Sequence, residues 1–481
     1  MHTQEQELTT LAMEPEHQAT SGLDSCPAEI LYLVVQLLSS AELQALCLVN
    51  KRFRIIAEPF LYTQIQWTWT DSQNPRIAQF LRTIVHRPEL AGFVQVMVLN
   101  GGCFDPIGWD YKKKCPKLPV TEVVLDELVK CIERIRIPYA EQWIQELRAG
   151  TMDAFVTLLL SQLPSLRRLY LDKNFARESR LMGMLLRSAL CEESQNSHLP
   201  SFTHLQDVSV VHPGLGLHIR RFTDVRTAAD VLPLFYLPSV ERITTLIDNP
   251  AATFMWPGKY PPNPPKLASL DLTMLREGPL GQVLSVTRGL RKLQWDWYYR
   301  EDLRDHSVTD IINLDQIAAD LSHVQETLTD LTITAYTDLA EAAPEYPEVR
   351  LRGSFKTFSG LHMLKNLEVP IPFLLGFSPS EPNVVGLEEA LPNNIEWLTL
   401  TDDLCLQREW EWEWEFEVEY LLRAVRSWLQ DWKRFTPRLR GVRLLSRMRH
   451  EVQYWDHGLI EDLRDIGAQT GIQIQIIEEE L

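Results

Sequence analysis

The sequence predicts an α/β protein: an amino-terminal unit of three helices, then an irregular solenoid with short parallel strands on its concave side and helices on its convex side. Two observations lead there. Residues 23–62 carry three successive apolar stripes at helical spacing. Beyond them one short phrase, apolar-x-x-apolar-x-apolar, recurs eight times with helical stretches between its copies. A third fact makes both possible: 481 residues with 45% hydrophobic content are enough to bury a large core. The order reads as a disordered leader over 1–21, a helical domain over 22–66, a linker and first irregular repeat over 67–160, and the solenoid over 161–481.

The leader, MHTQEQELTTLAMEPEHQATSG, is polar and acidic, with no apolar stretch of the kind a secretory signal needs. The first helix is expected over Ala28 to Leu38, with Pro27 at its start and Ile30, Leu31, Val34 and Leu38 on one side. Ser39 and Ser40 break it, and Ser40 is the expected N-cap of a second helix carrying Leu43, Leu46 and Val49. A third starts near Lys51 and carries Phe53, Ile56, Ala57 and Phe60. Three helices in so short a stretch cannot bury all of that apolar surface by themselves, which implies a docking face.

In order and spacing, Pro27-Ala28-Glu29-Ile30-Leu31, Val34, Leu38, Glu42-Leu43, Leu46, Val49, Lys51-Arg52-Phe53, Ala57 and Leu61-Tyr62 resemble an F-box. Cys26 departs from the family's usual Leu before the proline, and Gln36 is a polar residue inside the first helix. The resemblance implies that these helices pack against a Skp-family adaptor and, through it, a cullin–RING ubiquitin ligase. Carried over by position, the adaptor-binding residues are Pro27, Ile30, Leu31, Val34, Leu38, Leu43, Leu46, Val49, Lys51 and Phe53. The alternative to the resemblance is an ordinary three-helix cap on a larger domain.

The recurring phrase appears as SLRRLYL, HLQDVSV, KLASLDL, GLRKLQW, TLTDLTI, MLKNLEV, NIEWLTL and RLRGVRL, with GFVQVMVL and SVERITTL as weaker copies. A bent entry followed by a short strand with alternate residues inward is what a leucine-rich repeat requires. Between the phrases lie helical stretches such as MDAFVTLLLSQL, DVLPLFYL and LDQIAADLSHVQETL. Fungal F-box proteins with degenerate leucine-rich repeats are similar over the whole chain. If Leu169 and Leu171 point inward, alternation turns Arg168, Tyr170 and Asp172 outward onto the concave sheet. The same register turns out Asp207, Ser209, Lys292, Gln294, Asp296, Asp330, Thr332, Thr334, Asn366, Glu368, Trp397, Thr399 and Thr401. Of these, Arg168, Tyr170, Asp172, Lys292, Gln294, Asp296, Glu368, Trp397 and Thr399 are the candidate substrate-binding residues.

The segment EWEWEWEFEVEY at 409–420 alternates like a strand, yet its continuation places Trp410, Trp414, Val418, Leu421, Leu422, Val425, Trp428, Leu429 and Trp432 on one helical stripe. A helix with its tryptophans against the back of the neighbouring strands is the expectation. Proline and glycine gather at 101–119, 248–266 and 372–386, which read as loops. The carboxyl end reads as a helix, a turn at Gly471 and an edge strand carrying Ile472, Ile474 and Ile476.

Chemistry is sparse. His450-Glu451 lacks the second histidine of a zinc hydrolase, no phosphate-binding glycine loop is present, and GLG at 214–216 reads as a turn. The glutamates at successive odd positions describe a solvated face, not two carboxylates across a cleft, so a sugar-processing site has no support. Cys115, beside Lys112, Lys113, Lys114 and Lys117, is expected as an exposed loop cysteine. Seven cysteines in no CxxC spacing fit a reducing compartment, cytoplasm or nucleus, and no metal or cofactor is expected. A net charge of -18 argues against nucleic acid or an anionic membrane as partner, and no apolar run is long enough to span one. The reading is a non-enzymatic substrate receptor that binds adaptor through residues 22–66 and an unidentified protein through the repeats; the alternative is a scaffolding repeat protein with no role in ubiquitin transfer.

Overall fold

The computed structural model describes residues 23, 26–101, 104, 115–176, 179–192, 198–210, 230–250, 255–299, 308–337, 347–377, 385–405, 414–447 and 457–478. The chain divides into two compact units, Met1–Thr63 and Gln64–Leu481.

In the first unit, α1 spans Ala28–Val35, α2 Ser40–Val49 and α3 Lys51–Thr63. Helix α1 is shorter than its apolar run predicts, because Leu37 and Leu38 leave the helix in a tighter turn, their amides bonded to the carbonyls of Val34 and Val35. The N-cap of α2 is Ser39, one residue earlier than expected, because Glu42 completes a capping box from that position. The Glu42 carboxylate accepts the Ser39 amide at 2.7 Å, and its pKa is lowered by these Ser39 hydrogen bonds. Asn50 ends α2 and starts α3, its Oδ1 accepting the Phe53 amide at 2.8 Å. The core of the unit is Leu31, Val35, Leu43, Phe53, Ile56 and Ala57, which sit at the inward turns of the three helices. Arg52 closes it by donating to the Cys26 carbonyl at 2.7 Å.

In the second unit the strands, in chain order, are β1 Gln64–Thr68, β2 Val96–Asn100, β3 Arg168–Leu171, β4 Asp207–Val210, β5 Arg242–Leu246, β6 Ser269–Thr273 and β7 Lys292–Tyr299. They continue as β8 Ile311–Asn313, β9 Asp330–Thr337, β10 Arg350–Arg352, β11 Asn366–Pro370, β12 Trp397–Thr401, β13 Gly441–Ser446 and β14 Gln473–Glu478. Among the described residues twelve of them form one sheet in the order β1-β2-β3-β4-β5-β6-β7-β9-β11-β12-β13-β14, while β8 and β10 pair separately. Every pairing is parallel and in register, so the repeated phrases line up as rows. One inward row runs Met97, Leu169, Val208, Ile243, Leu270, Leu293, Leu331, Leu367, Leu398, Val442 and Ile474. This alternation is the apolar ladder that fills the core.

Helices lie between the strands, as expected for a parallel sheet. Met152–Ser161 is buried on every side, and its Asp153 accepts the Leu181 amide at 2.7 Å, capping the helix Arg180–Leu190. DVLPLFYL forms only a short 3-10 turn, Leu232–Tyr236, since Pro233 stands near its start. Within the segment read as a loop at 372–386, Pro372–Leu375 is one helical turn with all four side chains buried, so that expectation is corrected; residues 378–384 lie outside the described set. Cys115 is likewise corrected, being buried and not exposed, a cysteine behaving as a small hydrophobe. The sequence ladder also missed β1, whose QIQWT follows α3 without a turn signal.

The tryptophan-rich helix is present as Trp414–Gln430, with Leu421, Leu422, Val425, Trp428 and Leu429 buried. Trp410 and Trp412 lie outside the described residues. The stripe stops at Asp431, and Trp432, on a separate turn, is half-buried and donates its indole N–H to the Thr470 carbonyl at 3.3 Å. At the carboxyl end the helix His457–Thr470 meets Gly471 at φ +75°, a conformation glycine adopts without strain, before β14.

Candidate docking faces

The three helices of the first unit carry far more apolar surface than their own core uses. Leu37 and Leu48 are each 87% exposed, Ile55 70% and Val49 63%; Leu23, Ile30, Tyr32, Leu33 and Val34 are exposed as well. The cause is local. Helix α1, AEILYLVV, is apolar almost all round, so burying Leu31 and Val35 leaves Ile30, Leu33 and Val34 on the opposite side. Exposed apolar surface on this scale is the kind that marks interaction sites.

This geometry sorts the expected adaptor-binding residues. Pro27, Ile30, Val34, Val49 and Lys51 are exposed, whereas Leu31, Leu43 and Phe53 are buried in the unit's own core, and Leu38 and Leu46 pack half-buried against it. Leu31, Leu43 and Phe53 hold the helices together, so the exposed members of the set are the ones placed to meet a partner. Leu33, Leu37, Leu48 and Ile55 are exposed residues that the single-stripe reading passed over. A second apolar stripe in each helix was the signal for them.

The second candidate is the outward face of the sheet. One row runs Val98, Tyr170, Ser209, Thr244, Asp271, Gln294, Thr332, Glu368, Thr399, Arg443 and Gln475. Arg168 and Lys292 are exposed on this face, and Tyr170, Asp172, Gln294, Glu368 and Trp397 are half-buried. Asp296 and Thr399 are buried, as are Thr334 and Thr401, which corrects the expectation that they stand in solvent. Alternation decides which face a residue takes and says nothing of what covers it.

Asp296 and Thr334 belong to a polar clamp across the strand ends. Asp296 accepts from Thr273 at 3.1 Å and from Thr334, joining β6, β7 and β9. Asp403, just after β12, accepts the Ala335 amide of β9 at 3.2 Å and pairs with Arg447 at 3.1 Å. Arg447 also pairs with Glu368 of β11, and its amide donates to Asp402 at 2.9 Å. Burial pushes the Asp403 carboxyl up to about 6 against the pull of the Arg447 charge. Half-buried Asp271 is also pushed up to about 6, first by burial and then by the charge of Asp296. The clamp closes the carboxyl ends of β6 to β13, while Tyr170, Ser209, Thr244, Asp271, Gln294, Thr332 and Arg443 in the row remain half-buried.

Arg443 of that row and Trp397, one row away on β12, form the most structured part of the face. The Arg443 guanidinium lies 3.9 Å from the Trp397 ring centre, and its Nε donates to Gln475 at 3.0 Å. Gly441 opposes Trp397 in register, and a Cβ there would collide with the ring, so the glycine lets the indole lie flat across β13.

Among the described residues, no helix is long and apolar enough to cross a membrane, and no group of three or more His, Cys, Asp or Glu residues could hold a metal ion. Residues 23–101 match the COS11 F-box domain, which covers the three helices and the first two strands. The chain is an F-box domain-containing protein. No curated protein matches it.

Proposed function

We infer that this chain is the non-catalytic substrate-recognition subunit of a Skp–cullin–F-box ubiquitin ligase. The observation that carries the reading is the exposed apolar face of the first unit, on helices that match an F-box domain. A Skp-family adaptor covers Ile30, Val34, Leu48, Val49 and their neighbours, and through it the chain joins a cullin–RING ligase. The twelve-stranded parallel sheet with intervening helices is read as an irregular leucine-rich-repeat solenoid, and its outward face, from Arg168 and Tyr170 to Trp397, as the surface that holds the protein substrate.

The test separates docking from folding. Leu48→Asp with Val49→Asp places charge where an adaptor would bury it, and should abolish co-purification with a Skp-family adaptor while the melting temperature stays within a few degrees. Leu31→Asp should instead unfold the helical unit, because it buries an unpaired charge in the core at a cost of several kcal/mol. Adaptor binding at wild-type yield by the double variant would remove the ligase assignment and leave a scaffolding repeat protein.

A further inference from the structure

On the reading of the sheet face as the substrate surface, we propose that its carboxyl-terminal end, at β12 to β14, recognises an extended protein segment through a carboxylate side chain, with Arg443 as the specificity-determining residue. Arg443 is half-buried, and among the described residues no carboxylate lies within ion-pair distance of it. The neighbouring cations are already committed: Arg447 to Glu368 and Asp403, and Arg440 to Glu396 at 3.1 Å. A partly desolvated guanidinium without a counterion is a standing electrostatic demand. Its Trp397 stack and its hydrogen bond to Gln475 meet that demand only in part, and they hold the group in place before a ligand arrives.

The geometry also selects the class of anion. With one face of the guanidinium on the indole and Nε bonded to Gln475, only its terminal nitrogens are left for a ligand, enough for one carboxylate. A phosphorylated residue is a poorer fit: such groups are bound by clusters of arginines, and here the neighbouring Arg447 and Arg440 are already paired with Glu368, Asp403 and Glu396. The indole beside the guanidinium supplies apolar surface for the backbone and neighbouring side chain of the segment.

A displayed library of random decapeptides panned against the full chain provides the probe. Wild-type protein should select peptides with Asp or Glu at one fixed position, and replacing that residue with Asn should weaken binding by about tenfold or more, as loss of a charge-assisted hydrogen bond does. Arg443→Gln should erase the difference between the Asp and Asn peptides, and Arg443→Glu should select Lys or Arg at the same position, both with an unchanged melting temperature. Peptides selected with no acidic position, discrimination retained by Arg443→Gln, or a phosphoserine peptide preferred by the wild type would each overturn the proposal. If charge-blind peptides are selected and lose binding on Trp397→Ala, the proposal falls while the sheet-face reading stands. If no peptide is selected, both fall.

Discussion

Single residues decide how much of the sheet face is available. Asp271 stands half-buried on the outward face with its carboxyl pushed up to about 6, first by burial and second by Asp296. A folded-state pKa above the unfolded value means that protonation favours the folded state. That contribution is complete below the unfolded pKa of about 4 and is lost as pH rises through about 6. Lowering the pH from about 7.5 to about 5 should therefore stabilise the wild type relative to Asp271→Asn, by on the order of 1 kcal/mol after discounting for solvent screening. Thermal melts of both proteins across that range check it, and parallel pH profiles would assign no role to Asp271. Arg447 presents the opposite case. Removing it by Arg447→Ala leaves Asp403 buried without its partner, and should cost about 3 to 5 kcal/mol in denaturant unfolding, whereas exposed Arg440→Ala should cost under about 1 kcal/mol.

At the scale of elements, the same apolar composition has two outcomes. In the helix Trp414–Gln430 the stripe is buried, and Trp428 is fully so, with an indole N–H that has no hydrogen-bond partner among the described residues. Its contribution is packing alone. Trp428→Ala should destabilise the second unit by about 3 to 5 kcal/mol, and Trp428→Phe should cost much less because it also removes an unsatisfied donor. Equal losses from the two would mean that the N–H has a partner. In α1 and the turn after it, by contrast, Leu33 and Leu37 are as apolar as Leu31 yet stay exposed, since three short helices enclose only one side of each. Periodicity locates a helix and its stripes, and where two stripes compete it cannot rank them.

At the scale of the whole molecule, each strand of the large sheet gains its stability from its neighbours on either side, except β1 and β14, which have one partner each. Amide exchange should accordingly be slowest in β6, β7 and β9 and fastest in β14, a gradient that hydrogen–deuterium exchange with peptide-level resolution would show. Uniform protection to β14 would mean that the edge is covered. The parallel rows were legible in the sequence because the phrase apolar-x-x-apolar-x-apolar is local: it carries both the strand period and the bend that precedes it, and its copies align residue for residue in the pairing from β3 to β13. The F-box helices were legible for the same reason, from caps, stripes and spacing within about one turn. What only the tertiary structure decided depends on residues far apart in the chain. Ala335, Asp403 and Arg447 meet in one clamp and bury the strand ends that alternation had turned outward, and Arg443 finds its ring on the preceding strand above a glycine that makes room for it. The physical reason is that alternation and helical period fix the direction of a side chain relative to its own backbone, while burial and charge partners are set by whatever the rest of the chain brings to that direction.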